Sequence, residues 1–386
     1  MDTKGRIQEH SKIKLELYRL YIERYLSVLL NSRSFNTIYV HDIFAGRGKT
    51  EDNDNGSALK AAIEIQKIRT KYPTKDVILK LNEKNHNNFL HLQAVLEPFK
   101  KFTSLFNQDA NNYIYELNLP EGSHNLFFLD PHGYTQVSTD NLKNLFTMNN
   151  SDFLIFIPIF HIYRFLKPSE SAEQDDEDES YGFFDDLGLE TSQKSIVDRE
   201  AYYEPIAKFL SGLGIDKSNA EATQSVEEFS ETITEALKTI SGSDFVYSHM
   251  IKKKGKNSKY CLFFISQHIL GAEKFLDARC HLITKIDKLD HQHRFDFVSD
   301  TSNRASILNF VRRGLLYDNV TLYEIGIKSG FRPPELNKEI RNIEKNNSQS
   351  IEINTLPGKQ RNNKGLYLGY NYYKDNNRII QIMFKN

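Results

Sequence analysis

The sequence predicts an α/β fold: a Rossmann-like, mainly parallel sheet with a helical insertion, followed by a C-terminal winged-helix-like domain. Three observations carry this. Between residues 35 and 160, apolar stretches rich in β-branched and aromatic residues alternate with helical periodicity. Around residues 244–266, two further apolar runs flank a Lys/Gly/Asn-rich turn, as in a β-hairpin. From residue 321 onward, a helix, a turn holding Gly330, Pro333 and Pro334, a second helix and two strand-like runs succeed one another.

The chain has 386 residues, more than one hydrophobic core usually fills, so several packed units are expected. Hydrophobic residues make up 39% and charged residues 26%, enough apolar surface to exclude wholesale disorder. The formal charge of −1 gives no global field to steer a polyanion or a membrane, so any basic surface must be local. Two cysteines, Cys261 and Cys280, exclude a disulfide framework and a four-cysteine zinc site, and they suit a reducing compartment. The N-terminus lacks an apolar core behind its charges, and no stretch is apolar over the ~18 residues of a membrane span. A soluble, cytoplasmic protein with no membrane association is expected.

Residues 11–30 carry Ile13, Leu17, Leu20, Tyr21 and Val28 at helical spacing, which predicts an amphipathic helix packed on the adjoining domain. A buried strand then enters a Gly-containing turn over 35–46, and a helix is expected over 57–72. Next come a strand over 76–85, a helix over about 88–98, and strands at FTSLFNQD, NLFFLDPHG and DFLIFIPIF. Residues 170–190 hold ten acidic side chains and no basic one, which reads as a solvated loop. Helices are expected near 195–211 and 225–241, then hairpin strands at 244–251 and 259–266 that close one sheet edge. The expected divisions are 1–32 (leading helix), 33–167 (sheet core), 168–243 (acidic loop and helical insertion), 244–299 (hairpin and helix completing the core) and 300–386 (winged-helix-like domain). From 328 to the end, eleven Lys and Arg face five acids, so the bases concealed by the whole-chain balance lie here. SIEIN, GLYLGY and RIIQIMF are the expected strands of this last part.

The segment YVHDIFAGRGKT invites two readings. A Walker-type phosphate loop needs a glycine at position 43, where Ile43 stands, and its Lys-Thr should open a helix, whereas EDNDN comes next. The alternative is the first loop of an S-adenosylmethionine (SAM) fold, with an acid ending strand one and small residues that let backbone approach the ligand. Asp42 supplies the acid, and Phe44, Ala45, Gly46 and Gly48, with Gly56 and Ser57 beyond, supply the loop. Glu83 ends the next strand, where ribose hydroxyls would be held, and Asp109 comes after the third, where an adenine amine would be met. A fourth strand ends in DPHGY, placing Asp130, Pro131, His132 and Tyr134 where the methyl acceptor would lie. DPHGY resembles the Asp-Pro-Pro-Tyr element of adenine amino-methyltransferases, in which an acid and a proline-fixed carbonyl orient an amine and an aromatic stacks on the base. His132 and Gly133 replace its second proline and aromatic, leaving Tyr134 one position displaced.

Taken together, KIKLELYRLYIERYL, IYVHDIFAGRG, GSALKA, LNEKN, NQDAN, FFLDPHGY, DFLIFIPIFHIYR, YCLFFISQHILGAEKF and VTLYEIGIKSGFRPPELNKEIRNIEK resemble the bacterial three-Cys-motif partner family, TcmP. The resemblance implies a SAM-methyltransferase-like domain with a C-terminal helical element. It gives Asp42, Gly46, Gly48, Gly56, Ser57, Glu83, Asp109 and Asp130 the family's characteristic positions, and Lys14 and Arg164 its basic ones. It also implies a partner, a neighbouring radical-SAM protein with the three-cysteine motif. Arg47 stands where the family loop commonly has proline, and the acidic segment looks like an insertion. His268, with Gly271 and Lys274, matches a family motif, while a histidine opening a helix serves as a cap or packing residue more often than as a catalyst. His291 and His293, near Asp287, Asp290 and Asp296, lack a fixed ligand spacing, so no metal is expected.

The expected function is methyl transfer from SAM to a base in nucleic acid, DNA or RNA. The alternative is a non-catalytic nucleic-acid-binding or assembly subunit. The residues expected to contact nucleic acid are Lys338, Arg341, Lys345, Lys359, Arg361 and Lys364.

Overall fold

A computed structural model describes residues 9–31, 37–73, 76–131, 136–166, 199–252, 259–289, 306–346 and 349–385. The acidic segment 170–190, the His291/His293 cluster, His132 and Tyr134 lie outside the described residues. Contacts divide the chain into two units, one of Met1–Gln267 with His281–Val298 and one of His268–Cys280 with Ser299–Asn386.

The first unit opens with helix α1 (Glu9–Asn31) and continues β1 (Thr37–Asp42), α2 (Ser57–Lys71), β2 (Asp76–Asn82), α3 (His86–Leu96), β3 (Thr103–Phe106), α4 (Ala110–Tyr115), β4 (His124–Leu129), α5 (Thr139–Phe146), β5 (Ser151–Ile157) and α6 (Ile159–Leu166). Helices α7 (Arg199–Gly212), α8 (Lys217–Ala222) and α9 (Val226–Ser241) precede the hairpin β6 (Phe245–Lys252) and β7 (Lys259–Ser266). The strands form one sheet in the order β3-β2-β1-β4-β5-β7-β6. The neighbours β3–β2–β1–β4–β5 run parallel, and β7 runs antiparallel to both β5 and β6. This is the Rossmann-like α/β architecture that the strand–helix alternation predicted. The sheet order places β7, not β6, against the core, so the hairpin's first strand becomes the edge.

Strands β4 and β5 are buried along nearly their whole length, as continuous apolar runs should be when helices cover both faces of a parallel sheet. Phe127 and Phe153 stack in that core with centroids 5.2 Å apart. The leading helix is amphipathic, with Lys12, Glu16, Arg19, Glu23 and Ser27 as its more exposed stripe, but its buried face is broad. Leu15, Leu17, Tyr18, Leu20, Tyr21, Ile22 and Leu26 are all essentially inaccessible, because α2 packs along α1 while its tyrosines reach the sheet. Tyr18 stacks on Phe128 at 4.1 Å, and the Tyr21 hydroxyl donates to Asp152 Oδ2 at 2.7 Å.

Helix α10 (Ile269–Leu289) comes after β7, and its residues up to Cys280 group with the second unit. That unit continues β8 (Leu316–Asp318), α11 (Asn319–Lys328), α12 (Pro333–Asn346), β9 (Ile351–Thr355), α13 (Tyr370–Lys374) and β10 (Ile380–Phe384). Its three strands pair antiparallel in the order β8-β10-β9. Buried Asn319 ties the unit together: its Nδ2 donates to the carbonyls of Tyr367 (3.2 Å) and Asn377 (3.0 Å), and its Oδ1 accepts from Ile379 N (2.8 Å). GLYLGY, expected as a strand, is irregular. Leu366 and Leu368 keep the alternating burial of a strand, but Tyr367 takes a left-handed backbone (φ 54°), which breaks the extended path. Both cysteines are free, and no described helix is long and apolar enough to cross a membrane.

Candidate ligand site at the switch point

Chain order reverses between β1 and β4, since β2 and β3 lie on one side of β1 and β4 and β5 on the other. In open parallel sheets, the crevice at the carboxyl ends of the strands flanking such a reversal is where ligands bind. Asp42 ends β1 there, and Asp130 stands one residue beyond β4.

The backbone after Asp42 is shaped by neighbouring strands. Ile43 N donates to Phe128 O (3.1 Å), Ala45 N donates to Asn82 O (2.9 Å), and Phe44 N donates to Asp42 Oδ1 (3.3 Å). Gly46 and Gly48 have φ of 63° and 79°, a region that side-chain-bearing residues rarely adopt. A Cβ on Gly48 would lie 3.1 Å from Leu92 of α3, so a side chain there would also crowd that helix. Gly56 N donates to Gly48 O at 2.9 Å, and Gly56 is the N-cap of α2 without a capping side chain. The first amide groups of α2 therefore have no side-chain acceptor from their cap, which favours a polar ligand or an anionic group nearby.

Ser57 begins α2 and is 1% exposed, as is Asp42. Burial pushes the Asp42 carboxyl up to about 7. The nearby Ser57 hydroxyl and the Phe44 N–H oppose that push, while Asp130 and Glu83 add to it. Yet neither Asp42 Oδ2 nor Ser57 Oγ has a partner of hydrogen-bond geometry, and beneath them the Tyr18 hydroxyl is also unpartnered. Burying such groups unpaired costs on the order of 1–3 kcal/mol each, which a ligand offering donors or a positive charge would offset. These residues fit a cationic, hydroxyl-bearing ligand.

Asp130 is held from α1. Lys14 Nζ lies 2.7 Å from its Oδ1 and 2.6 Å from its Oδ2, with both side chains buried, and the same ammonium sits 4.1 Å from the centre of the Phe156 ring. Half-buried Pro131 comes next in the chain. Glu83 leans toward the β1 loop. Burial raises its carboxyl, and the amides of Asn85 and Gly46 partly counter this. Asp109 faces elsewhere, capping α4 by accepting from Asn111 N (2.9 Å) and pairing with Lys84 (3.0 Å). Burial raises the Asp109 carboxyl, but Lys84 and the Asn111 contacts outweigh it and hold it below the ordinary range. Three of the four strand-end acids thus share one electrostatic neighbourhood, and the fourth is committed to a helix start.

Two contributors escaped the sequence reading. Asn82, the last residue of β2, donates to Ile43 O (3.3 Å) and Gln108 O (3.0 Å), bracing the β1 and β3 loops together. Its only signal was its place beside Glu83. Tyr18 is not among the helix positions that the periodicity singled out.

In the second unit, α12 presents Lys338, Arg341 and Lys345 to solvent, and Lys359, Lys364 and half-exposed Arg361 lie on the segment after β9. Arg341 Nη2 (3.2 Å) and Arg361 Nη2 (3.0 Å) both donate to Lys364 O. Lys359 Nζ lies 3.3 Å from Asn377 Oδ1. Beside α12 lies a cavity of about 410 Å³ bordered by Arg313, Asn342, Asn346 and Lys385. Its bordering Glu339 already accepts from Ser306 Oγ (2.6 Å) and Ile307 N (2.7 Å), and Lys385 is paired with Glu352 at 2.8 Å.

No family model and no curated protein matches this sequence. Among solved structures, a Legionella pneumophila protein of the DUF519 family is similar at 12% identity and a TM-score of 0.40, covering 71% of this chain and 91% of that one. A Klebsiella pneumoniae protein described as an O-methyltransferase is similar at 10% identity and a TM-score of 0.32, over 68% of this chain and 91% of that one. A loganic acid methyltransferase with SAH is similar at 12% identity and a TM-score of 0.29, over 75% of this chain and 89% of that one. The fold assignment rests on strand order and register, not on these likenesses.

Proposed function

We propose that the first unit is a SAM-binding, methyltransferase-like domain of the TcmP kind, and that the second unit contacts nucleic acid. One observation carries the first part: Asp42 Oδ2 and Ser57 Oγ are buried and unpartnered beside a glycine loop at the switch point. SAM, when bound, supplies a methyl group on a positively charged sulfonium. Asp42 offers its carboxylate to the cationic methionine end, and the turn from Phe44 to Gly48 lets backbone come close. Ser57 and the start of α2 offer donors. Glu83 holds the ribose hydroxyls. Asp109, committed to its cap and to Lys84, shapes the adenine end by holding α4 in place. On the acceptor side we place Asp130, Pro131, His132 and Tyr134, where alignment of an amine, more than a strong base, is what transfer from a sulfonium requires.

We read the second unit as winged-helix-like. What supports this is its element order: the start of α10, then β8, α11, α12, β9 and β10, with the short α13 carried between the last two strands, which pair antiparallel. Local excess of bases supports nucleic acid as its partner.

A second reading is favoured by the Lys14–Asp130 pair. With both carboxylate oxygens on one buried ammonium, the direction of Asp130 is fixed and its charge neutralised, which weakens its pull on a substrate amine. On this reading the pocket is kept for sensing or stability in a non-catalytic subunit, and a radical-SAM three-Cys-motif protein is its partner.

Titration calorimetry with SAM and its demethylated product, on wild type and on Asp42→Ala/Glu83→Ala, tests the cofactor. Saturable heat in wild type, lost in the folded double variant, is expected; wild-type heat no larger than the variant's refutes binding. Transfer of labelled methyl to mixed nucleic acids separates the two readings, because the non-catalytic subunit binds without turnover.

A further inference from the structure

We infer that the nucleic acid met by the second unit is duplex DNA, with α12 lying in its major groove. This rests on the reading that the unit contacts nucleic acid at all.

Beyond Pro334 in its first turn, the exposed residues of α12 are Lys338, Arg341, Asn342, Lys345 and Asn346, at relative positions 0, 3, 4, 7 and 8. That spacing makes one continuous stripe along a helix. Leu336 and Ile340 are buried on the opposite side. The helix's acids are off the stripe or consumed: Glu335 pairs with Arg332 at 3.0 Å, Glu339 caps the Ser306–Ile307 turn, and half-buried Glu344 falls at relative position 6. Among the described residues, none of Lys338, Arg341, Lys345, Lys359, Arg361 and Lys364 has a carboxylate within ion-pair distance. A stripe of bases and amides without acids is complementary to a polyanion whose base edges offer acceptors and donors.

Convergence of the guanidiniums adds a second, independent point. Arg341 from α12 and Arg361 from the segment after β9 meet on the carbonyl of Lys364, and Arg361 Nε also donates to Gly365 O at 3.0 Å. Asn363 and Lys364 hold left-handed backbone (φ 49° and 53°) to build that turn. Two guanidiniums from two elements converge with no carboxylate in ion-pair distance among the described residues, and a phosphate placed there relieves their mutual repulsion through charge-assisted hydrogen bonds.

The shape of the reading surface selects among nucleic acids. A helix with its side chains is about 10–12 Å across and fits the B-form major groove, about 12 Å wide. The A-form major groove of duplex RNA is too narrow for it, and single strands are usually gripped by exposed aromatic side chains. The α12 stripe has no aromatic residue, whereas its amides, Asn342 and Asn346, are side chains suited to the major-groove edge of adenine.

The test uses the full-length protein with labelled 20-base-pair DNA duplexes of mixed sequence, the matching single-stranded DNA, and duplex and single-stranded RNA, each over a salt series. Duplex DNA is expected to bind at least tenfold tighter than the others. Lys338→Ala/Lys345→Ala should weaken it tenfold or more and reduce the log–log salt slope by about 2, one unit per lost phosphate contact. Asn342→Ala should leave that slope unchanged and alter sequence preference in a selected pool. Melting curves confirm that these surface variants stay folded. RNA or single-stranded DNA bound as tightly as duplex, with the same lysine dependence, overturns the duplex inference and leaves nucleic-acid contact standing. Absence of salt-dependent binding to all four overturns both.

Discussion

Lys14 on the leading helix and Asp130 at the tip of β4, 116 positions apart in sequence, form a buried ion pair in which one ammonium serves both carboxylate oxygens, at 2.7 and 2.6 Å. Removing one member of such a pair strands the other charge in a low-dielectric site, at about 3–5 kcal/mol. Lys14→Met should therefore lower stability by that amount in denaturant titrations, and Lys14→Met/Asp130→Leu should regain most of it. Failure of the double variant to recover would show that Lys14 acts through packing on Phe156 instead.

Asp42 ties stability to pH. Its carboxyl is held up to about 7 by burial in the folded chain, against about 3.8 when exposed. The folded state keeps a proton that the unfolded state releases, so this group's contribution is fully present below pH ~4 and is lost as pH rises through ~7. Asp42→Asn should melt higher than wild type at pH 8, by on the order of 2–4 kcal/mol, and by less at pH 5. A cationic ligand favours the ionised carboxylate, so wild-type affinity for SAM should rise from pH 6 to pH 8. Parallel pH curves for the two proteins would refute this assignment.

The two loop glycines separate strain from crowding. Gly46 and Gly48 share left-handed backbone, but a Cβ on Gly46 meets nothing within 4 Å, whereas one on Gly48 meets Leu92 at 3.1 Å and Val95 at 3.3 Å. Gly46→Ala should cost about 1 kcal/mol, and Gly48→Ala about 2–3 kcal/mol with a larger loss of SAM heat. Equal losses would mean that α3 yields freely.

Gly326 sets the approach of α11 to α12. A Cβ there would stand 2.5 Å from Leu336 Cδ2, and Leu336 is buried. Alanine ordinarily strengthens a helix by about 1 kcal/mol, but here crowding should win and cost roughly 1–3 kcal/mol. Amide exchange on α11 and α12 should speed up in Gly326→Ala. A raised melting temperature would show that Leu336 finds another rotamer.

The strand–helix alternation was legible because parallel strands covered on both faces must be continuously apolar, as FFL before Asp130 and DFLIFI are. The hairpin was legible from its turn, though not which of its strands lies against β5, since either strand could pair there until the sheet is assembled. Asp42, Glu83 and Asp130 were readable as strand-end acids; that Lys14 occupies Asp130 was not, because pairing across 116 positions exists only once α1 lies on the sheet. Asp109 before ANNYIY carried the mark of a helix cap, and capping is where its carboxylate goes. GLYLGY misled because its alternation is real and only the backbone at Tyr367 departs from a strand.

Helix α10 has a practical consequence for dissecting the molecule. Buried Glu273, within its first turns, accepts the Tyr323 hydroxyl at 2.6 Å, and Asp277 reaches Arg332 at 3.5 Å. A fragment begun at residue 300 loses both anchors and uncovers an aromatic that the intact unit hides. The C-terminal unit is discontinuous in sequence, and any expression boundary meant to isolate it must fall before His268.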